Sequence, residues 1–185
     1  MLLAELVSAN RTFIRASSHQ GDLMRRLVIA TAIFLSFTAS ATAETPQEWT
    51  SLGARVHGGY GAFIPVGIRI GLDAVEKLKA GPRELSVLYF DNPKAPCACF
   101  ADGIMIATTA SPGQRSLVMA PDQAPDSAAA VIVIRPRKGG PGLKYTIPMA
   151  ALPKLAEINK QQKDPVVRHD AVMKMDGLFE VVAAE

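Results

Sequence analysis

Cys97 and Cys99 are the only cysteines of the chain, one residue apart in Ala95-Pro96-Cys97-Ala98-Cys99-Phe100-Ala101-Asp102-Gly103. Soft sulfur donors and a hard carboxylate therefore fall within one short stretch. Cysteines two apart in an extended chain hold their Cα atoms near the upper limit of disulfide geometry, so a structural disulfide is not expected. Thiols this close are expected to serve as metal ligands or as a redox pair, with zinc and copper the ions that suit thiolate. A metal site needs three or four ligands. The further donors available after residue 43 are His57, His169 and, as an oxygen ligand, Asp102. His57, Cys97, Cys99 and Asp102 are accordingly the candidate metal set, provided that the His57 and cysteine segments meet. The same residues permit a second chemistry, in which Cys99 is a thiolate nucleophile, His57 its base and Asp102 the group that orients the base.

These donors need elements to hold them. Thr45-Pro46-Gln47-Glu48 carries a capping box and a proline at the first helical position. Trp49, Leu52 and Val56 follow at the spacing of one buried helical face. His57-Gly58-Gly59 ends that helix, because glycine accepts the left-handed cap. A second helix, entered through Pro65, is predicted from Ala62 to about Lys79, with Gly67 and Gly71 in a small-residue stripe that fits a closely packed helix better than a bound group. Leu85 to Phe90 alternates as a strand. Asn92 to Pro96 is a stiff approach to the cysteines, and Asp102 to Thr109 is a further helix.

Ser116 to Met119 is a short strand. Ala129 to Arg137 and Leu143 to Pro148 form a hairpin, whose basic end at Arg135, Arg137 and Lys138 reads as a solvated strand end. Helices follow over Met149 to about Lys160 and, behind the Asp164-Pro165 start, to Met175, and Leu178 to Val182 is a last strand. Without strict βαβ alternation the expected class is α+β: a mainly antiparallel sheet of about five strands packed against helices.

The N-terminal residues read as an address. Met24-Arg25-Arg26, the apolar run Leu27 to Phe37 and the small-residue site Ala41-Thr42-Ala43 make a secretory signal peptide. The expected start is Met24 and the expected cleavage follows Ala43, so residues 1–43 are extension and signal and residues 44–185 are one domain, periplasmic or secreted. The apolar run is too short to span a bilayer, so no membrane span is expected after cleavage. Four arginines but only two acids precede Glu44. The remaining chain is thus nearly neutral, and its composition gives no sign of nucleic-acid binding.

Two segments together resemble the FmdE family, named for formylmethanofuran dehydrogenase. His57-Gly58-Gly59-Tyr60-Gly61-Ala62 is similar to that family's His-Gly-His-x-Cys-Pro-Gly segment, and Cys99-Phe100-Ala101-Asp102-Gly103-Ile104 to its Cys-x-x-Asp-Ala-Ile segment. The match runs on without gaps through Thr108 and Gly113, and covers roughly residues 50 to 120. It implies that His57, Cys99 and Asp102 are the matched site residues, with Gly58, Gly59, Gly67, Gly71 and Thr108 lining their pocket. Gly59, Gly61, Ala110 and Gln114 stand where the family has histidine, two cysteines and lysine, while Cys97 is an added thiol. The zinc-ribbon tail of some members is missing, since no cysteine follows Cys99.

The resemblance implies the fold and a pocket, and no formylmethanofuran chemistry. The favoured function is a binding domain holding zinc or another transition metal, with a binding role preferred over catalysis. The alternatives are the cysteine-dependent enzyme or redox protein, and a metal-free module for a small ligand or a partner. A homodimer is compatible with all three.

Overall fold

The computed structural model describes residues 44–185, which form one compact unit. The expected signal peptide and its cleavage site lie outside the described residues. No helix among the described residues is long and apolar enough to cross a membrane.

The expected capping box opens helix α1 (Pro46–His57): the Thr45 hydroxyl accepts from the Glu48 backbone, and the Glu48 carboxylate accepts from the Thr45 N–H at 2.7 Å. Helix α2 (Phe63–Leu78) follows and is buried over most of its length. Strand β1 is Leu85–Asp91, helix α3 is Cys99–Thr108, and a short 3-10 turn at Pro112–Gln114 leads to β2 (Leu117–Met119). Strands β3 (Ala128–Pro136) and β4 (Gly142–Pro148) are the hairpin, α4 is Ala151–Gln161, α5 is Pro165–Met173 and β5 is Glu180–Ala184. Asp164 caps α5 through two backbone N–H groups, as its Asp-Pro sequence predicts.

The sheet order is β2-β1-β3-β4-β5. Every pair is antiparallel except β1 with β2, which is parallel. The class is therefore α+β with a five-stranded, mainly antiparallel sheet, as expected. Tyr89, Ile132, Ile134, Tyr145 and Ile147 face the core from the sheet, and Ile64, Ile68, Phe100, Ile104 and Leu155 from the helices.

The glycine stripe of α2 packs on a helix. A Cβ on Gly67 would lie 2.1 Å from the Phe100 carbonyl oxygen, and one on Gly103 would lie 2.1 Å from the Ile64 carbonyl oxygen. The two glycines thus allow reciprocal backbone contact between α2 and α3, with Gly71 against Ala107 one turn further on. Gly103, which weakens the helix on propensity alone, is required by this contact.

Helix α1 corrects one expectation. Trp49 is buried, but Leu52 and Val56 are 41% and 44% exposed, and the buried positions are Trp49, Thr50 and Gly53. A Cβ on Gly53 would meet the Tyr60 ring at 2.5 Å. The ring occupies the space that Gly53 leaves, which rotates the buried stripe of α1 away from Leu52 and Val56. The basic hairpin end behaves as a strand end: Lys138, largely in solvent, pairs with the partly exposed Glu84 at 3.0 Å.

Tyr60 also donates or accepts a hydrogen bond at 2.7 Å with Nδ1 of His169, which is 3% exposed on α5. Burial lowers the His169 pKa from its ordinary 6.5, partly opposed by Asp170. The folded state therefore holds this imidazole neutral, while the unfolded chain takes up a proton below pH 6.5. Its contribution is fully present above that pH and is lost as the pH falls through 6.5 toward the lower folded value. Urea unfolding between pH 7.5 and 5 is expected to show a falling midpoint, and a smaller fall in His169→Gln.

Candidate functional site

The site is assembled at two helix ends. His57 is the last residue of α1, and Gly58 behind it takes the left-handed cap at φ 83° with its N–H on the Ala54 carbonyl. This turn leaves the imidazole at the helix terminus, facing α3. Cys99 is the first residue of α3 and Asp102 lies three residues on, so thiol and carboxylate project from one face of that helix. The ring of His57 spans them. Its Nδ1 is 2.7 Å from Asp102 Oδ2, and its Nε2 is 3.4 Å from Cys99 Sγ. The carboxylate sits in the first turn of α3, where a helix N-terminus favours negative charge.

Cys97 corrects the disulfide expectation. The approach from Asn92 is not extended through the cysteines: the chain turns at Ala98 into α3, which starts at Cys99 and not at Asp102. That turn brings the two Cα atoms to 5.3 Å, within ordinary disulfide range, and Cys97 is bonded to Cys99. The sequence argument failed because it took an extended backbone between the two residues.

Asn92 is a site-positioning residue that the sequence reading did not single out. It is 2% exposed. Its amide donates to the Ala128 and Pro125 carbonyls, and its side-chain oxygen accepts from the Lys94 N–H. These bonds pin the start of the cysteine loop to the start of β3. A second missed group is Tyr89, whose buried hydroxyl has no partner and whose ionisation is opposed by burial and then by the charges of Asp91 and Asp102. A buried polar residue in a loop named only as a breaker, and a tyrosine in a strand, carry too weak a sequence signal to be found.

His57, Cys97 and Cys99 each offer a donor atom within 4.8 Å of the others. Asp102 stands behind this group on the far nitrogen of His57, where it sets the tautomer and the ring orientation. Zinc bonds of about 2.3 Å to sulfur and about 2.0–2.1 Å to nitrogen, at tetrahedral angles, set a sulfur-to-nitrogen edge of about 3.6 Å. The His57 to Cys99 separation of 3.4 Å agrees with that edge. Donor type and the nitrogen-to-sulfur edge therefore fit a borderline or soft ion, once the Cys97–Cys99 bond is reduced and the two sulfurs move apart to the roughly 3.8 Å edge of a tetrahedral site.

The group opens into a cleft of about 440 Å³ walled by Ala98, Ala101, Met105, Pro112, Leu117 and Met119. The two thioethers are soft groups that the sequence reading missed. The five residues expected to line the pocket lie elsewhere. Gly58 and Gly59 are exposed at the α1 cap, Gly67 and Gly71 are buried against α3, and the buried Thr108 hydroxyl donates to the Ile104 carbonyl. Gly67 and Gly71 shape the helix packing that carries the site, and none of the five walls it.

Residues 56–175 match the family model described as FmdE, Molybdenum formylmethanofuran dehydrogenase operon. No curated protein matches the chain. Among solved structures, a tungsten formylmethanofuran dehydrogenase FmdE-like protein from Syntrophus aciditrophicus is similar at a TM-score of 0.52 and 14% identity, over 77% of this chain and 73% of that one. At that identity the likeness shows the fold.

Proposed function

Because the chain belongs to the FmdE family, we propose that it is an exported FmdE-like domain, non-catalytic or of unknown activity, that binds one zinc or similar transition-metal ion. The observation that carries this reading is the convergence of His57, Cys97 and Cys99 with Asp102 behind the imidazole. A sulfur in a disulfide is no thiolate donor, so the reduced pair is the binding form. His57 supplies nitrogen, Cys97 and Cys99 supply sulfur, and Asp102 positions the ring. A bound ion of this class acts as a Lewis acid toward a fourth ligand, and the cleft beside Met105 and Met119 leaves room for one. The signal-like residues 24–43 support export.

The test is metal content of tag-free protein, reduced and oxidised, after equilibration with zinc. The expectation is about one ion per chain in the reduced form and little in the oxidised form, with His57→Ala losing most of it. Equal loading in both forms, or full loading in His57→Ala, would overturn the proposal. Asp102→Ala keeps the three donors but removes the acceptor that holds the ring. It is expected to weaken zinc affinity by roughly 10–100-fold, read by competition with a chromophoric chelator.

A further inference from the structure

Cys97 is the added thiol of this chain, and it is bonded to the matched cysteine. The bridge faces the cleft of about 440 Å³, a volume in the range that holds small organic ligands. The two sulfurs are not equivalent. Cys99 is 6% exposed, beneath His57, whereas Cys97 is only half-buried at the cleft wall. Behind Cys99 is the start of α3, which no side chain caps. The first-turn N–H groups of a helix have no partner within it and favour negative charge. A small thiol entering the cleft thus meets Cys97 first, and the sulfur it displaces is the one that the helix end and the imidazole face.

We propose that Cys97–Cys99 is a thiol–disulfide exchange centre for low-molecular-weight thiols. The thiolate of the first thiol, its proton already given to solvent, attacks Cys97 Sγ. A new bond forms between the incoming sulfur and Cys97, the Cys97–Cys99 bond breaks, and Cys99 leaves as thiolate with the electron pair. A second thiolate then attacks the substrate sulfur of the mixed disulfide and expels Cys97 as thiolate. Two thiols are oxidised to one disulfide, and the protein disulfide gains two electrons to become a dithiol. A small disulfide restores the bond by the reverse steps. Accessible disulfides are the labile ones, and exchange is governed by which sulfur is attacked and which leaves.

The exchange needs no metal, so it stands apart from the zinc reading and is tested with chelator present. Oxidised native protein is incubated with glutathione, quenched with iodoacetamide and mapped by mass spectrometry. The mixed disulfide is expected on Cys97 at least about tenfold over Cys99. Separately prepared Cys99→Ser is expected to react with oxidised glutathione at least about tenfold faster than Cys97→Ser. Circular dichroism of both variants reports their folding, and the wild-type map decides alone if either is unfolded. Glutathione mainly on Cys99, or a bond that reduces only in denaturant, would overturn the proposal.

Discussion

Reduced Cys99→Ser is expected to retain less than about a tenth of the wild-type zinc loading. Cys99 is the donor that links the two halves of the site: it opens α3 and lies 3.4 Å from His57 Nε2. Its loss leaves one thiolate and one imidazole, too few for a closed or three-ligand site. A serine hydroxyl is a hard, protonated oxygen and does not replace thiolate on a borderline ion. The new hydroxyl is smaller than the thiol and fits its space, and burying it costs about 1–3 kcal/mol if it finds no partner. The fold should therefore survive while metal binding does not. Metal analysis beside thermal melting separates the two, and unchanged loading in a folded variant would contradict the assignment of Cys99.

Gly67→Ala is expected to lower stability by about 3 kcal/mol and to weaken zinc binding without touching a donor. The added Cβ would stand 2.1 Å from the Phe100 carbonyl oxygen and 2.9 Å from the Ile104 backbone nitrogen. Both are main-chain atoms of α3, so no side chain can swing aside and the helix itself must move. That helix carries Cys99 and Asp102 in its first turn. A shift there misaligns both against His57, which is fixed on α1. Gly59→Ala is the contrast, because its Cβ would meet nothing within 4 Å. Surface changes of that kind stay within about 0.5 kcal/mol. Urea unfolding of the two variants should separate them clearly, and a Gly67→Ala midpoint equal to wild type would deny the close α2–α3 contact.

The elements that depend on local chemistry were legible. The Thr45 and Asp164 caps, the β3–β4 hairpin and the α+β class all follow from short-range signals and hold in the fold. The convergence of His57 with Cys99 and Asp102 was legible through spacing shared with a family, not through composition. What long-range packing decides was hidden. The buried stripe of α1 turns on where the Tyr60 ring rests over Gly53, and the parallel β1–β2 pair on how α3 crosses between them. The glycine stripe of α2 did announce a closely packed helix, but the α3 start at Cys99, after the turn at Ala98, and the long-range bonds of Asn92 that hold the loop before it are not visible as a pattern. The disulfide followed from that start. Met105 and Met119 read as ordinary apolar positions, and only the folded cleft brings them beside the donors.

The most direct test of the metal site is zinc-edge X-ray absorption on reduced, zinc-loaded protein. Two sulfur scatterers at about 2.3 Å with nitrogen at about 2.0–2.1 Å are predicted. A shell of oxygen and nitrogen alone, with no sulfur, would contradict the account.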